Sequence, residues 1–422
     1  FTRAVAAGIL LLLIASCGAT RKPGPTGFAD ESFADALSAV MPAPDTTGTR
    51  PGRVRTTQDV REVYASDEYQ PVWIKENYKP VESAAKLIKE LEDLQWDGAH
   101  ADLWNVADMK LLYEKLDTTK VNKVADAIRL DTTLTRMYLA AARFLMFGDY
   151  APRRADSLWY IPNDSLWTAP YDLVHQDNGY PSLEGFRSQW PAYSLLRKAY
   201  RHYRQLSEDS SYINALFNMQ SGQNDSILQT SFLYIAGHEL PWLEVMPNDS
   251  ISEDRQRISA WQDYRGIRIT GRLDSTTLAQ CAVKPETHLS QLRANMERMR
   301  WMPQYPADTM IVVNVPLMEL FFKQNGEDVL HKRVVVGKPA RQTPSLWANM
   351  AQVVINPSWG VPPTILKNDV LPGIAAMKDL MTSADGKAWF MPFEWGNSLM
   401  IYRTDTVKPE DVTTLKAFAD PK

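Results

Sequence analysis

The sequence predicts a multidomain α + β protein, mainly helical in its N-terminal part and mainly β from about residue 306. Three observations carry this. The 422 residues exceed one ordinary domain. Apolar residues recur at helical spacing as far as Met299, and past Pro303 the period switches to that of strands. Helices first and strands later argue for separate domains rather than an alternating βαβ unit.

Taken in order, the chain begins with Arg3 and an apolar run from Ala4 to Ser16, followed by Cys17-Gly18. The run is shorter than the ~18–20 residues that span a bilayer, and it fits the h-region of a secretory signal. Ile14-Ala15-Ser16-Cys17 resembles the bacterial lipobox. That resemblance implies a lipoprotein signal peptide over residues 1–17, with Cys17 as the lipidation site. It also implies a mature protein lipid-anchored to a membrane on the periplasmic side of a bacterial envelope. A plain signal peptide with an incidental Cys is the blander reading. Residues 18–57, with Pro23, Pro25, Pro42, Pro44 and Pro51, read as a flexible tether in which 28–40 has the pattern of one short helix.

Residues 58–250 read as a helical domain. Val81, Ala84, Ala85, Ile88, Leu91 and Leu94 form one stripe ending at Asp97-Gly98, and Val124 to Leu145 form another ending at Gly148. A third helix follows Trp190-Pro191, with Tyr193, Leu196, Tyr200 and Tyr203 on a core-facing stripe. Residues 251–288 read as a small helical unit in which Asp274 caps the second helix. A connecting helix over 289–305 carries Leu289, Leu292, Met296 and Met299. Strands are expected at 310–315, 317–322 and 329–336, with Asn325-Gly326 as a type I′ hairpin turn, and again at 352–356.

The chemistry legible without a relative is sparse. Forty-six Lys+Arg against fifty Asp+Glu leave a net charge of −4, which argues against nucleic acid as a partner. Six scattered histidines form no His-x-x-x-His pair, and Gly237-His238-Glu239 lacks the second His of a zincin motif. No Gly-rich phosphate loop occurs, so neither a metal nor another cofactor is expected. Of two cysteines, Cys281 falls on the apolar side of a helix near its C-terminal end, where the dipole opposes a thiolate. It reads as buried and inert.

An ordered series of motifs is more informative. Asn295-Met296-Glu297-Arg298-Met299-Arg300-Trp301-Met302-Pro303 is followed by Val312-Val313-Asn314-Val315-Pro316 and Val335-Val336-Gly337-Lys338-Pro339. Then come Arg341-Gln342-Thr343-Pro344, Asn356-Pro357-Ser358-Trp359-Gly360-Val361-Pro362-Pro363 and Asp369-Val370-Leu371-Pro372-Gly373. In order and spacing this series resembles the large L,D-transpeptidases of the YcbB type, whose catalytic domain has the YkuD fold. Upstream, Tyr69-Gln70-Pro71-Val72-Trp73, Asp97-Gly98 and Gln189-Trp190-Pro191-Ala192-Tyr193 resemble that family's helical scaffold domain. The 251–288 unit resembles a peptidoglycan-binding-like module, but has Thr270-Gly271 and then Asp274 in place of the usual Asp-Gly-x-x-Gly turn.

The resemblance implies an acyltransferase that joins peptidoglycan stem peptides, a tetrapeptide donor and an amine acceptor, through a Cys acyl-enzyme, giving 3→3 crosslinks. It implies a catalytic domain over 306–422 that is truncated, with a lid-like insertion from about residue 366 and the Cys and His motifs beyond Lys422. No catalytic residue is assigned within the 422 residues, and the fragment by itself is expected to be inactive. Trp359, Asn356, Arg341 and Thr343 are the residues that the resemblance places beside the substrate cleft. The alternative reading is a non-catalytic peptidoglycan-binding or scaffold lipoprotein.

Overall fold

The computed structural model describes residues 28–41, 53–99, 104–121, 123–162, 182–220, 223–240, 251–352 and 363–372. It divides the chain into two units, Phe1–Trp347 and Ala348–Lys422.

The first unit opens with helix α1 (Glu31–Val40), where Asp30 accepts from the Phe33 N–H at 2.7 Å. Phe33, Ala34 and Leu37 are fully buried, and α1 packs on α5. These residues fall inside the stretch expected as tether. A capped helix with an apolar stripe is a core element rather than a linker. Helix α2 (Arg53–Ser66) also lies on α5. A minimal hairpin, β1 (Ile74–Lys75) with β2 (Lys79–Pro80), leads to α3 (Glu82–Asp93). A 3-10 turn then ends at Gly98 with φ 76°.

Helices α4 (Val106–Thr118) and α5 (Val124–Phe147) complete this first core, and α5 stops at Gly148 with φ 64°. Near its centre, buried Asp131 accepts from the main-chain N–H groups of Val72 and Trp73 and from Tyr64 Oη at 2.5 Å. The Tyr69-to-Trp73 motif is therefore pinned to α5 from within. Helix α6 (Tyr150–Ala155) and the short strand β3 (Trp159–Tyr160) follow.

Helix α7 (Pro191–Glu208) has Pro at its first turn, where the missing N–H costs nothing. Its expected stripe is in the interior: Tyr193 and Tyr200 pack with Met296, and Leu196, Leu289, Leu292 and Met299 surround them. A separate core joins α8 (Ser210–Gln220), α9 (Asp225–Glu239), α10 (Glu253–Tyr264) and α11 (Ser275–Cys281). Trp261 and Cys281 of the small helical unit thus share one interior with Tyr212 and Phe232. Asp274 Oδ1 caps α11, accepting from the Thr277 N–H at 2.9 Å. The departure from the usual turn has a local explanation. Buried Gln262 accepts from the N–H groups of Thr270 and Gly271 and donates to Thr277 Oγ1 at 2.8 Å, so an amide holds the turn.

Helix α12 (Pro285–Arg300) packs along α7 and leads into an antiparallel sheet, β4 (Thr309–Asn314), β5 (Glu319–Gln324) and β6 (Glu327–Arg333). Asn325 and Gly326 have φ 52° and 84°, the left-handed pair of a type I′ turn. All three strands differ from expectation by one to three residues at their ends, β4 beginning and ending one residue earlier and β6 ending at Arg333 rather than at 336. Strand β5 starts two residues later, because Val315–Met318 forms a turn in which Met318 has φ 56°. Strand β6 starts directly after the hairpin turn, pairing Glu327 with Gln324. Every residue of β6 is exposed.

In the second unit, residues 363–372 begin with a helical turn at Pro363–Ile365 and continue as a π-helical turn, Leu366–Val370. Most of the strand expected at 352–356 and most of the lid-like insertion lie outside the described residues. Among the described residues no helix is long and apolar enough to cross a membrane.

Candidate functional site

Of the residues expected beside a substrate cleft, Arg341 and Thr343 lie on one turn. Asn356 and Trp359 lie outside the described residues, as does Cys17. Residues 337–344 fold back on themselves: Pro339–Arg341 is a 3-10 turn in which the Arg341 N–H donates to the Lys338 carbonyl at 2.7 Å. Thr343 Oγ1 accepts from the Gly337 N–H at 2.8 Å and closes the turn. A Cβ at Gly337 would collide with the Arg341 carbonyl oxygen, so the close approach of backbones requires glycine. Thr343 thus shapes the turn through its hydroxyl, and the Arg341 side chain is exposed at its apex.

Beyond the turn, strand β7 (Ser345–Leu346) leaves the sheet and pairs in parallel with β3 of the helical region, Trp159 opposite Ser345 and Tyr160 opposite Leu346. The Ser345 N–H donates to the Leu158 carbonyl at 2.9 Å. Trp347 meets Trp190 edge-on at 6.4 Å. Trp190 Nε1 donates to the Pro303 carbonyl at 2.9 Å, and the Gln189 N–H donates to the Gln304 carbonyl at 2.8 Å. Trp159 in turn packs edge-on against Trp301 at 5.2 Å.

A buried polar junction gathers at the C-terminal end of α12. The Asp97 carboxylate, fully buried, accepts from Arg187 Nη2 at 3.0 Å and Tyr193 Oη at 2.9 Å, and lies 2.9 Å from Arg197 Nε. Arg300, 3% exposed, donates to the Asp97 carbonyl at 3.1 Å and to Tyr193 Oη at 3.0 Å, and pairs with Glu297. Burial works to lower the Arg300 and Arg187 pKa values, yet their partners raise both overall: Tyr193 and Glu297 for Arg300, and Asp97 and Glu184 for Arg187. Both guanidiniums therefore stay charged. Burial pushes the Tyr193 phenol well up, so it remains a neutral donor to Asp97.

Gly98 and Gly148 let α12 approach: a Cβ at Gly98 would lie 2.8 Å from Arg293 Cγ, and one at Gly148 would collide with Glu297 Oε1. A cleft of about 550 Å³ opens between α5, α6 and α12, with Asp149, Asp156, Arg293 and Arg298 on its walls. Sequence reasoning missed this junction. Its members sit in segments singled out separately, at Asp97-Gly98, Tyr193, Arg197 and Arg300, without a signal that joins them across up to 203 positions.

Other reactive groups are quenched by their surroundings. Cys281 is fully buried, and burial, aided by Glu239, pushes its thiol far up, so it is protonated at neutral pH. The Glu239 carboxylate is engaged by Tyr212 Oη at 2.9 Å and by Arg265. The His238 Nδ1 lies 2.8 Å from the Tyr234 carbonyl of its own helix. Among the described residues no group of His, Cys, Asp and Glu is arranged to hold a metal ion.

Comparison with known proteins matches two parts of the chain to family models. Residues 58–199 match a family model described as a scaffold domain, and residues 308–413 match one described as an L,D-transpeptidase catalytic domain, the YkuD family. A Haemophilus influenzae protein named "Putative L,D-transpeptidase" is 26% identical over 313 residues, 70% of this chain and 56% of its own length. The chain thus spans little more than half the length of that relative.

Proposed function

From the premise that this chain carries a scaffold domain followed by a YkuD-type L,D-transpeptidase catalytic domain, we propose that the whole protein crosslinks peptidoglycan stem peptides. The observation that carries the reading is the match of 308–413 to the catalytic domain, with the Gly337–Pro344 turn folded as a built feature of it. In this reading a Cys thiolate attacks the carbonyl of the L,D amide in a donor tetrapeptide. The terminal D-residue leaves as an amine, taking a proton from a His, and a thioester remains. The amine of a neighbouring stem then attacks the thioester, forming the 3→3 amide and returning the thiol.

Cys281 is no candidate for that nucleophile, because it is buried, protonated and on a helix of the small helical unit. We place the nucleophile and its His beyond Lys422. Lipid attachment through Cys17 and a periplasmic location belong to the same proposal.

The test is to incubate the whole protein with purified disaccharide-tetrapeptides and analyse the products by mass spectrometry. A crosslinked dimer that has lost one terminal D-residue is expected, and replacing the nucleophilic Cys by Ala should remove it. Binding to peptidoglycan sacculi without any dimer would favour a non-catalytic wall-binding lipoprotein instead.

A further inference from the structure

Residues 334–344 are held at their two ends by different parts of the first unit. At one end the Val334 N–H donates to the Met318 carbonyl, and Arg333 pairs with Glu319, so the segment leaves from the sheet. At the other end Ser345 and Leu346 belong to a ladder with Trp159 and Tyr160 of the helical region. The place of the Gly337–Pro344 turn is therefore set by how sheet and scaffold are joined, and not by the sheet alone.

A parallel ladder of two residue pairs is too short to be stable in isolation. It persists because both of its strands are flanked by Trp contacts. Trp159 on β3 packs on Trp301 at the end of α12, and Trp347 after β7 packs on Trp190 at the start of α7. Trp190 is itself fixed by its bond to the Pro303 carbonyl. All these groups trace back to the buried Asp97–Arg300 junction through α7 and α12.

We propose that the β3–β7 ladder and the Trp190–Trp347 contact make the scaffold a positioning element for the Gly337–Pro344 turn of the catalytic domain. The inference rests on the transpeptidase reading. Trp347 is a positioning residue that acts through the turn and touches no reacting atom. A displacement of about 1 Å in a positioning element is enough to slow a reaction by up to about a hundred-fold.

The experiment uses the whole protein with Trp347→Ala, Trp347→Phe and Ser345→Pro, the last removing the N–H that bonds to Leu158. Two quantities are measured: amide hydrogen exchange over residues 337–347, and kcat/KM for crosslinking of disaccharide-tetrapeptide. In the wild type the Ser345 amide should be protected. Trp347→Ala should expose it and lower kcat/KM on the order of ten-fold or more, with Trp347→Phe restoring most of both. Ser345→Pro should lower kcat/KM similarly while the thermal midpoint of the helical domain is kept. Unchanged kcat/KM in Trp347→Ala and Ser345→Pro, with the ladder opened, would overturn the proposal. So would a Ser345 amide that exchanges freely in the wild type. Absence of crosslinking by the wild type would instead sink the transpeptidase reading, and the exchange data would still judge the ladder separately.

Discussion

Arg300, the last residue of α12, donates from Nη1 to the main-chain carbonyl of Asp97, 203 positions earlier in the chain. The same nitrogen reaches Tyr193 Oη, which donates to the Asp97 carboxylate. Asp97 thus gathers three arginines, Arg187 ahead of α7, Arg197 within α7 and Arg300 at the end of α12, and each cation has a carboxylate within reach.

Asp97→Ala removes the acid and leaves buried Arg187 and partly buried Arg197 beside an empty site. Breaking one side of such a pair costs about 3–5 kcal/mol. Thermal unfolding should show a large fall in midpoint, whereas exposed Glu208→Ala, which loses only an i,i+4 pair with Arg204, should shift it little. Equal midpoints for Asp97→Ala and wild type would refute the structural role of the junction.

Two glycines give an opposed pair of outcomes. Gly148→Ala imposes φ 64° on a residue with a Cβ and drives that Cβ into Glu297, so it should destabilise by more than about 1 kcal/mol. Gly237 lies within α9 with nothing within 4 Å of an added Cβ, so Gly237→Ala should be neutral or stabilise by up to about 1 kcal/mol. Urea midpoints measured side by side check both signs.

His288 has its pKa lowered, chiefly by burial and next by the Arg265 guanidinium, with Glu239 opposing. It packs on the ring of Tyr203 at 4.6 Å. The folded state favours the neutral imidazole, so the unfolded state binds more protons once the pH falls below the ordinary His value of about 6.5. Stability contributed by the neutral ring is present above that value and is lost as pH falls through the lowered folded value. Urea midpoints should drop between pH 7.5 and 5.5, and His288→Gln should flatten that drop. An identical slope in the variant would count against this assignment.

Cys281 should resist thiol reagents in the native protein even at pH 8.5, and react fully in urea. In a protein that also carries Cys17→Ser the labelling reports on Cys281 alone among the 422 residues. Prompt native labelling would show that the small helical unit opens its core.

Much of this architecture was legible in local sequence, because its signals are local. The stripe from Val81 to Leu94 with its Gly98 stop, the Asp274 cap and the Asn325-Gly326 turn each depend on residues a few positions apart. The Glu31–Val40 helix is legible as a pattern within a Pro-rich stretch, but its burial depends on α5, which local pattern does not reveal. Thr343 was identified by motif, but its hydroxyl closing the turn on the Gly337 N–H is a geometric fact.

The sequence by itself determined the helices at 81–94, at 124–145 and after Trp190-Pro191, the Asn325-Gly326 hairpin, the order of helical and strand regions, and the inertness of Cys281, since periodicity and helix-end chemistry are written in neighbouring residues. Only the tertiary structure decided that Asp97, Tyr193, Arg197 and Arg300 form one junction, and that β7 pairs with β3 instead of staying in the sheet. The physical reason is that a buried charge must find its counter-charges wherever packing brings them. The sequence gives each partner's identity but not the fold that makes them neighbours.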